Sequence, residues 1–401
     1  MDVTPTRAAG LERLAAFASK AGRHYAGRRN YDTGPEDTAE VSRLSPWICR
    51  RMVLEEEVIA AVLGAHSRSS AEKFVQEVFW RGYFKGWLEQ RPAVWESYRA
   101  GLLDDRARLA DASEWAEAEA GRTGIACFDA WAQQLVETGY LHNHARMWFA
   151  SIWIFTLRLP WRLGADFFLR HLLDGDAASN TLSWRWVGGL HTVGKTYLAR
   201  SANIAKYTEG RFPSTPGLVG SAVPLDEGGL PPRSPLRTLP PPQPVPSLYL
   251  LTTEDLSLAP LPSAEVAGLA ALPLAADRSP GSINAAIDAF DHAAFADAAT
   301  RFTAELHMVE TADALIERAV AAGARQIVTG FLHQGWVRDW IEAARPGLDA
   351  AGFSVVEVQR DWDRAVHPHA RAGYFNVKKK IPDILDTLAP DAEALPLFRR
   401  A

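Results

Sequence analysis

The stretch from Phe212 to Ser247, FPSTPGLVGSAVPLDEGGLPPRSPLRTLPPPQPVPS, constrains the fold more than any other part of this chain. Its prolines remove backbone donors and fix φ, so neither helix nor sheet persists through it. It reads as a linker that packs along a surface, and it cuts the chain in two. Before it, residues from about 9 to 212 carry helical periodicity and aromatic side chains, with few strand-like runs. After it, Ser247–Leu251 reads as a buried strand, Thr311–Ala322 as a helix and Arg325–Thr329 as a strand. Val337–Ala351 reads as a further helix and Phe353–Val358 as a further strand. Strands alternating with helices predict a parallel α/β sheet. The expected organisation is a helical domain over 1–212, a Pro-rich linker over 213–246, an α/β domain over 247–386 and a C-terminal tail over 387–401.

A length of 401 residues suits two to three domains, and 47% apolar residues suffice for their cores. No apolar run is long enough to span a bilayer. The first twenty residues lack the apolar core and cleavage pattern of a signal peptide, so a cytoplasmic location is expected. Cys49 and Cys127 form no CxxC pair, which argues against a disulfide framework and a structural zinc site. The net charge of −5 is not the global signature of a nucleic-acid binder. A local basic rim can still dominate near a phosphate backbone. Of the fourteen Trp, eleven fall between Trp47 and Trp186, which marks one region as selectively rich in indoles.

Three segments in that region carry chemistry. In LLDGDAASNTLSWRW, a helix places Asp176, Asn180 and Trp184 four residues apart on one face. An amide between a carboxylate and an indole is a poor hydrophobic core but a good wall for an aromatic, redox-active ligand with polar edges. The bland reading is two packing indoles beside a capping turn. From Phe74 to Phe84, a helix aligns Glu77, Trp80, Arg81 and Phe84 in one stripe. Its bland reading is a surface helix with a weak Glu77–Arg81 ion pair. From Thr138 to Met147, Asn143, Arg146 and Met147 share a face, and Arg146 is the natural partner for Asp174. His142 and His144, two apart, point to different faces, so no metal is expected there. His144 is expected to face a groove or solvent.

Together these stretches resemble, in the right order, the DNA photolyase/cryptochrome family. Ser42-Arg43-Leu44-Ser45-Pro46 resembles its SRLSP signature, where a helix N-terminus meets the flavin diphosphate. Tyr25 resembles the tyrosine near that phosphate. Phe74–Phe84 resembles W-x-x-E-x-x-W-R-x-x-Y, with Phe74 and Phe84 as its outer aromatics. Gly124-Ile125, Asp129-Ala130 and Gln133-Gln134-Leu135 resemble GxPxVDAxMRQL. Tyr140–Met147 resembles W-M-H-N-R-x-R-M, and DGDxAxNxxxWxW completes the set. The resemblance covers roughly residues 20 to 212.

The resemblance implies FAD and the following roles. Tyr25, Ser42, Arg43, Leu44, Ser45, Phe74, Arg81, Phe84, Asn143, Arg146, Asp174, Gly175, Asp176 and Asn180 would hold the cofactor. Glu77, Trp80, Asn143, Met147, Asn180 and Trp186 would serve repair. Arg29, Glu77, Trp80, His144 and Trp186 would meet DNA. Trp184, followed by Trp161, resembles the start of the photoreduction chain. The third tryptophan is missing near Arg108, leaving Trp115, Trp148 or Trp153 as its terminus. Asn143 with Met147 resembles the enzymes that split cyclobutane pyrimidine dimers, so a monomeric, light-driven repair enzyme acting on damaged DNA is expected. A cryptochrome-like photosensor with a signalling partner is the alternative, favoured by the net charge, by His144 where the family usually has Arg, and by the divergent chain after Trp186.

The domain order departs from the family, whose α/β antenna domain precedes the helical one. Asp361–Pro368 followed by Gly373-Tyr374-Phe375 resembles the end of that antenna domain, and Thr252–Leu258 faintly resembles its first strand and turn. A permuted antenna domain and an unrelated Rossmann-like domain both remain open. No GxGxxG is present, so no dinucleotide site is expected there. A second, antenna chromophore of unspecified identity is compatible with the permuted reading.

Overall fold

A computed structural model describes residues 3–35 and 40–388. Among them, every strand follows residue 245, and the first half is helical. The helix Arg68–Glu89 is its spine. Ser67 caps it, its side chain accepting from the Ser70 amide at 3.3 Å. It ends where Pro92 forbids continuation, and the same proline starts the helix Pro92–Arg108. The helix Ala126–Thr138 stops at Gly139, whose φ of +65° closes its last turn in the left-handed region. The helix Ala177–Val187 starts at Asp176, whose carboxylate accepts from the Ser179 amide at 2.7 Å.

The second half builds a five-stranded parallel sheet. Its strands are β1 (Pro246–Leu251), β2 (Glu265–Ala271), β3 (Leu306–Met308), β4 (Gln326–Gly330) and β5 (Ser354–Val358), ordered β3-β2-β1-β4-β5. Leu248 to Leu251 are fully buried, as an inner strand covered on both faces requires. The expected strands and helices of this half each lie within a residue or two of an observed one. β2, β3 and the helix Ala285–Ala299 were not anticipated. The helix Ile381–Leu388 takes in the first two residues of the expected tail, whose remainder lies outside the described residues.

No helix or strand forms between Tyr207 and Pro246, yet the segment is pinned at several points. The Leu225 amide donates to the Gly188 carbonyl at 2.9 Å, and that of Ser234 to Gln90 at 2.8 Å. Glu227 accepts from the Trp161 indole at 3.0 Å and pairs with Arg162 and Arg185.

The halves are joined through buried charge. Arg51 donates to both oxygens of Asp363 at 2.8 and 2.6 Å, Arg50 pairs with Asp291, and Lys85 with Glu254 at 2.8 Å. At Gly86 the spine touches the other half so closely that an added Cβ would lie 2.7 Å from His367 Cα. No described helix is long and apolar enough to cross a membrane.

Candidate functional site

One cavity of about 480 Å³ opens in the helical half, within the roughly 300–1,000 Å³ common for small-molecule sites. Every cofactor, repair and DNA residue named above lines it except His144. Of the two electron-transfer residues, Trp184 lines it and Trp161 does not. Arg146 Nη2 donates to both Asp174 oxygens at 3.0 Å, and its Nε to the Leu141 carbonyl at 2.8 Å. Burial alone would raise the Asp174 carboxyl, but Arg146, Ser45 and Arg81 hold it below its usual range. Asp176 ion-pairs with Lys85 at 3.1 Å. Asn180 Nδ2 donates to the Ala165 carbonyl at 2.8 Å, which fixes the plane of its amide.

Arg81 is central to the wall. Burial works against its charge, but Asp176 and other acidic neighbours outweigh that and raise its pKa. Its Nε and Nη2 are buried without a hydrogen-bond partner, as are Ser179 Oγ and Trp184 Nε1. Buried donors are ordinarily satisfied. These unspent groups, which line the cavity together with Phe74, Phe84 and Phe168, fit an aromatic ligand with polar edges. The Ser42–Ser45 end differs from expectation. Its helix, Ser45–Cys49, has five residues, so little macrodipole is available. The polar groups at that end are Ser42, Ser45 and Arg43, whose guanidinium lies 3.8 Å over the Tyr140 ring.

At the other end, Glu77 pairs with Arg29, not with Arg81 as the surface-helix reading requires. Burial raises the Glu77 carboxyl, against the opposing effect of Arg29. Trp80 stacks on Tyr374 with centroids 3.8 Å apart and planes at 11°, and the Tyr374 hydroxyl donates to the Gln76 carbonyl at 2.8 Å. Trp186 leans on Tyr197 at 5.6 Å.

His144 corrects the expectation that it faces a groove or solvent. It is buried, stacked on Trp148 at 4.0 Å, with ring nitrogens at 3.0 Å from the Asn30 carbonyl and 3.2 Å from the Tyr197 hydroxyl. Its polar edge is used inside the protein. Trp161 lies away from the cavity, packed on Tyr98 at 5.6 Å. Trp184 instead meets Phe168 at 5.1 Å, Trp153 at 6.2 Å and Phe149 at 6.4 Å. Lys85 and Tyr374 were missed. Lys85 was within reach, since it continues the Glu77–Arg81 stripe by one turn, whereas Tyr374 arrives from the distant half.

Gly164 permits the Trp184 position: an added Cβ would sit 2.2 Å from its Cη2. Gly164→Ala is expected to destabilise the fold by about 1–3 kcal/mol through overpacking and to shift the Trp184 fluorescence. Unchanged melting and emission would contradict that packing.

His142 caps the helix Asn143–Ser151, accepting from the His144 amide at 3.1 Å. Burial pushes its pKa down to about 4. The unfolded chain therefore takes up this proton first, near pH 6.5, and wild type loses stability as pH falls toward 4. His142→Asn keeps a capping oxygen without the titration. The stability difference should move in the variant's favour by about 1.4 kcal/mol per pH unit below about 6.5. Chemical denaturation at about pH 7, 6 and 5 checks this, and a pH-independent difference contradicts it.

Residues 74–211 match the family model for the FAD binding domain of DNA photolyase. The helical half carries a photolyase-type FAD-binding domain. Tyr25, Arg29 and Ser42–Ser45 lie before the matched segment but line the same cavity. The deoxyribodipyrimidine photo-lyase of Streptomyces griseus is 35% identical over 209 residues, covering 48% of this chain and 44% of that one. That of Thermus thermophilus is 34% identical over 199 residues, covering 46% and 43%. The match thus spans less than half the length of these curated relatives. A cryptochrome structure from Synechocystis sp. PCC6803 aligns with TM-score 0.42 at 24% identity, covering 51% of this chain and 43% of that one.

Proposed function

We propose that this chain binds FAD in the Arg81–Asn180 cavity and uses blue light to split cyclobutane pyrimidine dimers in DNA. The observation that carries this reading is that one cavity joins the unspent donors around Arg81 to a mouth lined by Glu77, Trp80, Asn143, Met147 and Trp186. When bound and reduced, FAD supplies the excited-state electron. The protein's own residues do the rest. Arg81, Arg146, Asp174 and Asp176 hold the cofactor's polar edges, and Asn180 orients it. Trp80 and Trp186 offer faces to a flipped lesion, which leaves the duplex cheaply because it stacks badly. Glu77, its pKa raised by burial, offers a carboxyl to the dimer carbonyls as charge develops there.

The test uses a dimer-containing oligonucleotide, with lesion binding and light-dependent repair measured separately. Glu77→Ala should lower repair yield more than binding, because its hydrogen bond strengthens along the reaction. Trp80→Ala should weaken binding, since stacking contributes about 1–3 kcal/mol per base. Binding should fall with rising salt as phosphate contacts release counterions. A protein that holds reduced FAD yet neither prefers nor repairs the lesion sinks this reading. One observation favours the photosensor alternative: Tyr374 already covers a face of Trp80, and that outcome would put the photosensor in its place.

A further inference from the structure

A second group of chemistry-bearing side chains lies beneath the cavity, where the halves meet. His333 follows β4, and Asp363 and His367 lie one turn apart at the end of the helix Asp361–Val366. The three are 2%, 0% and 0% exposed. One nitrogen from each histidine and one Asp363 oxygen lie within 4.8 Å of one another. His333 Nε2 is 3.6 Å from Asp363 Oδ1, and His367 Nε2 is 3.4 Å from the same atom. These lengths are too long for good hydrogen bonds. His333 Nε2 and both nitrogens of His367 are buried without a partner.

We propose that His333, Asp363 and His367 form a divalent-metal site, suited to Zn²⁺, that ties the segment after β4 to the helix Asp361–Val366 at the seam with the helical half. Tetrahedral bonds of about 2.0–2.1 Å place neighbouring ligand atoms about 3.3 Å apart, close to the two histidine–aspartate separations. The other nitrogen of His333, Nδ1, lies 2.9 Å from Glu254 Oε2. A carboxylate behind a histidine is the usual support that orients a metal-bound imidazole. Two histidines with one carboxylate also suit Fe(II) when open positions admit a substrate. Here near-complete burial leaves no room for a substrate, so the ion would be structural, with a water as its fourth ligand.

Charge around the site is slightly negative. Arg51 donates to both Asp363 oxygens and opposes a cation, as does Lys85 beside Glu254. Against these two stand Asp363, Glu254, Asp176 on Lys85 and Glu55 at 3.7 Å from Arg51. Arg360 is matched by Asp255. Arg81, buried beside Asp176 and Glu55, is a third cation, so four carboxylates against three cations leave one negative charge toward a divalent ion. No metal was expected from the sequence, because His333 and His367 are separated by a strand and share no local motif.

The test is Zn²⁺ titration of chelator-treated full-length protein by calorimetry, with bound metal counted by elemental analysis. One Zn²⁺ per chain and a raised melting temperature are expected. His333→Ala and His367→Ala should each abolish that uptake, and Glu254→Gln should weaken it about 10–100-fold. Absence of saturable uptake overturns the proposal, as does uptake unchanged in both histidine variants, which would place the ion on surface histidines. If those variants fail to fold, Co²⁺ added to wild type decides. Tetrahedral ligand-field bands to the red of any flavin absorption support the site, and their absence overturns it. None of these readouts depends on repair or on bound FAD.

Discussion

Asp291→Ala is expected to lower the free energy of unfolding by about 3–5 kcal/mol, the cost of stranding one member of a buried ion pair. Asp291 is 1% exposed and pairs with Arg50, also 1% exposed, while Arg278 lies 3.6 Å away on its other oxygen. Removing the carboxylate leaves two buried guanidiniums facing each other. Arg50 Nη1 also donates to the Leu173 carbonyl at 2.8 Å, immediately before Asp174. The loss should therefore reach the cavity, weakening FAD retention as well as stability. Urea denaturation and flavin content measure the two effects separately. A change below about 1 kcal/mol, the scale of an exposed pair, would show that the contact does not hold the halves together.

Trp184→Phe is expected to abolish or strongly slow blue-light reduction of bound FAD while leaving FAD in place. Trp184 lines the cavity, is buried, and has its indole N–H unspent. Phenylalanine keeps most of the packing but is far harder to oxidise. Steady illumination followed by absorbance reads the effect, and undiminished reduction would mean that another donor dominates. The next ring is tested by two further variants. The family resemblance favours Trp161, whereas ring contact favours Trp153, 6.2 Å from Trp184. The variant that slows photoreduction while Trp184 is intact identifies the route.

Local patterns were legible wherever a residue's role depends on neighbours within two turns. The Asp176–Asn180–Trp184 face and the Glu77–Trp80–Arg81–Phe84 stripe needed only helical spacing. The strand Ser247–Leu251 was visible as an apolar run. By contrast, β2 is EVAGLAA, whose Gly and Ala residues disfavour strands, and β3 has only three residues. At the site, Arg29 takes Glu77 from 48 residues away, and Tyr374 reaches the Gln76 backbone from 298 residues away. No local period reports such pairings. His144 was misjudged for a similar reason: its polarity suggests solvent, but Trp148 one turn on gives it a stacking face and the Tyr197 hydroxyl meets its edge.

The buried Arg51–Asp363 pair sets a timetable for synthesis. The two residues are 312 positions apart, and ribosomes add roughly 5–20 residues per second. The emerging helical half must therefore wait on the order of 15–60 s for the carboxylate that neutralises Arg51. Arg50 waits on Asp291 in the same way, whereas Lys85 finds Asp176 within the helical half. Until then the nascent chain holds two guanidiniums, Arg50 and Arg51, at positions destined for burial, each ahead of the carboxylate that will meet it.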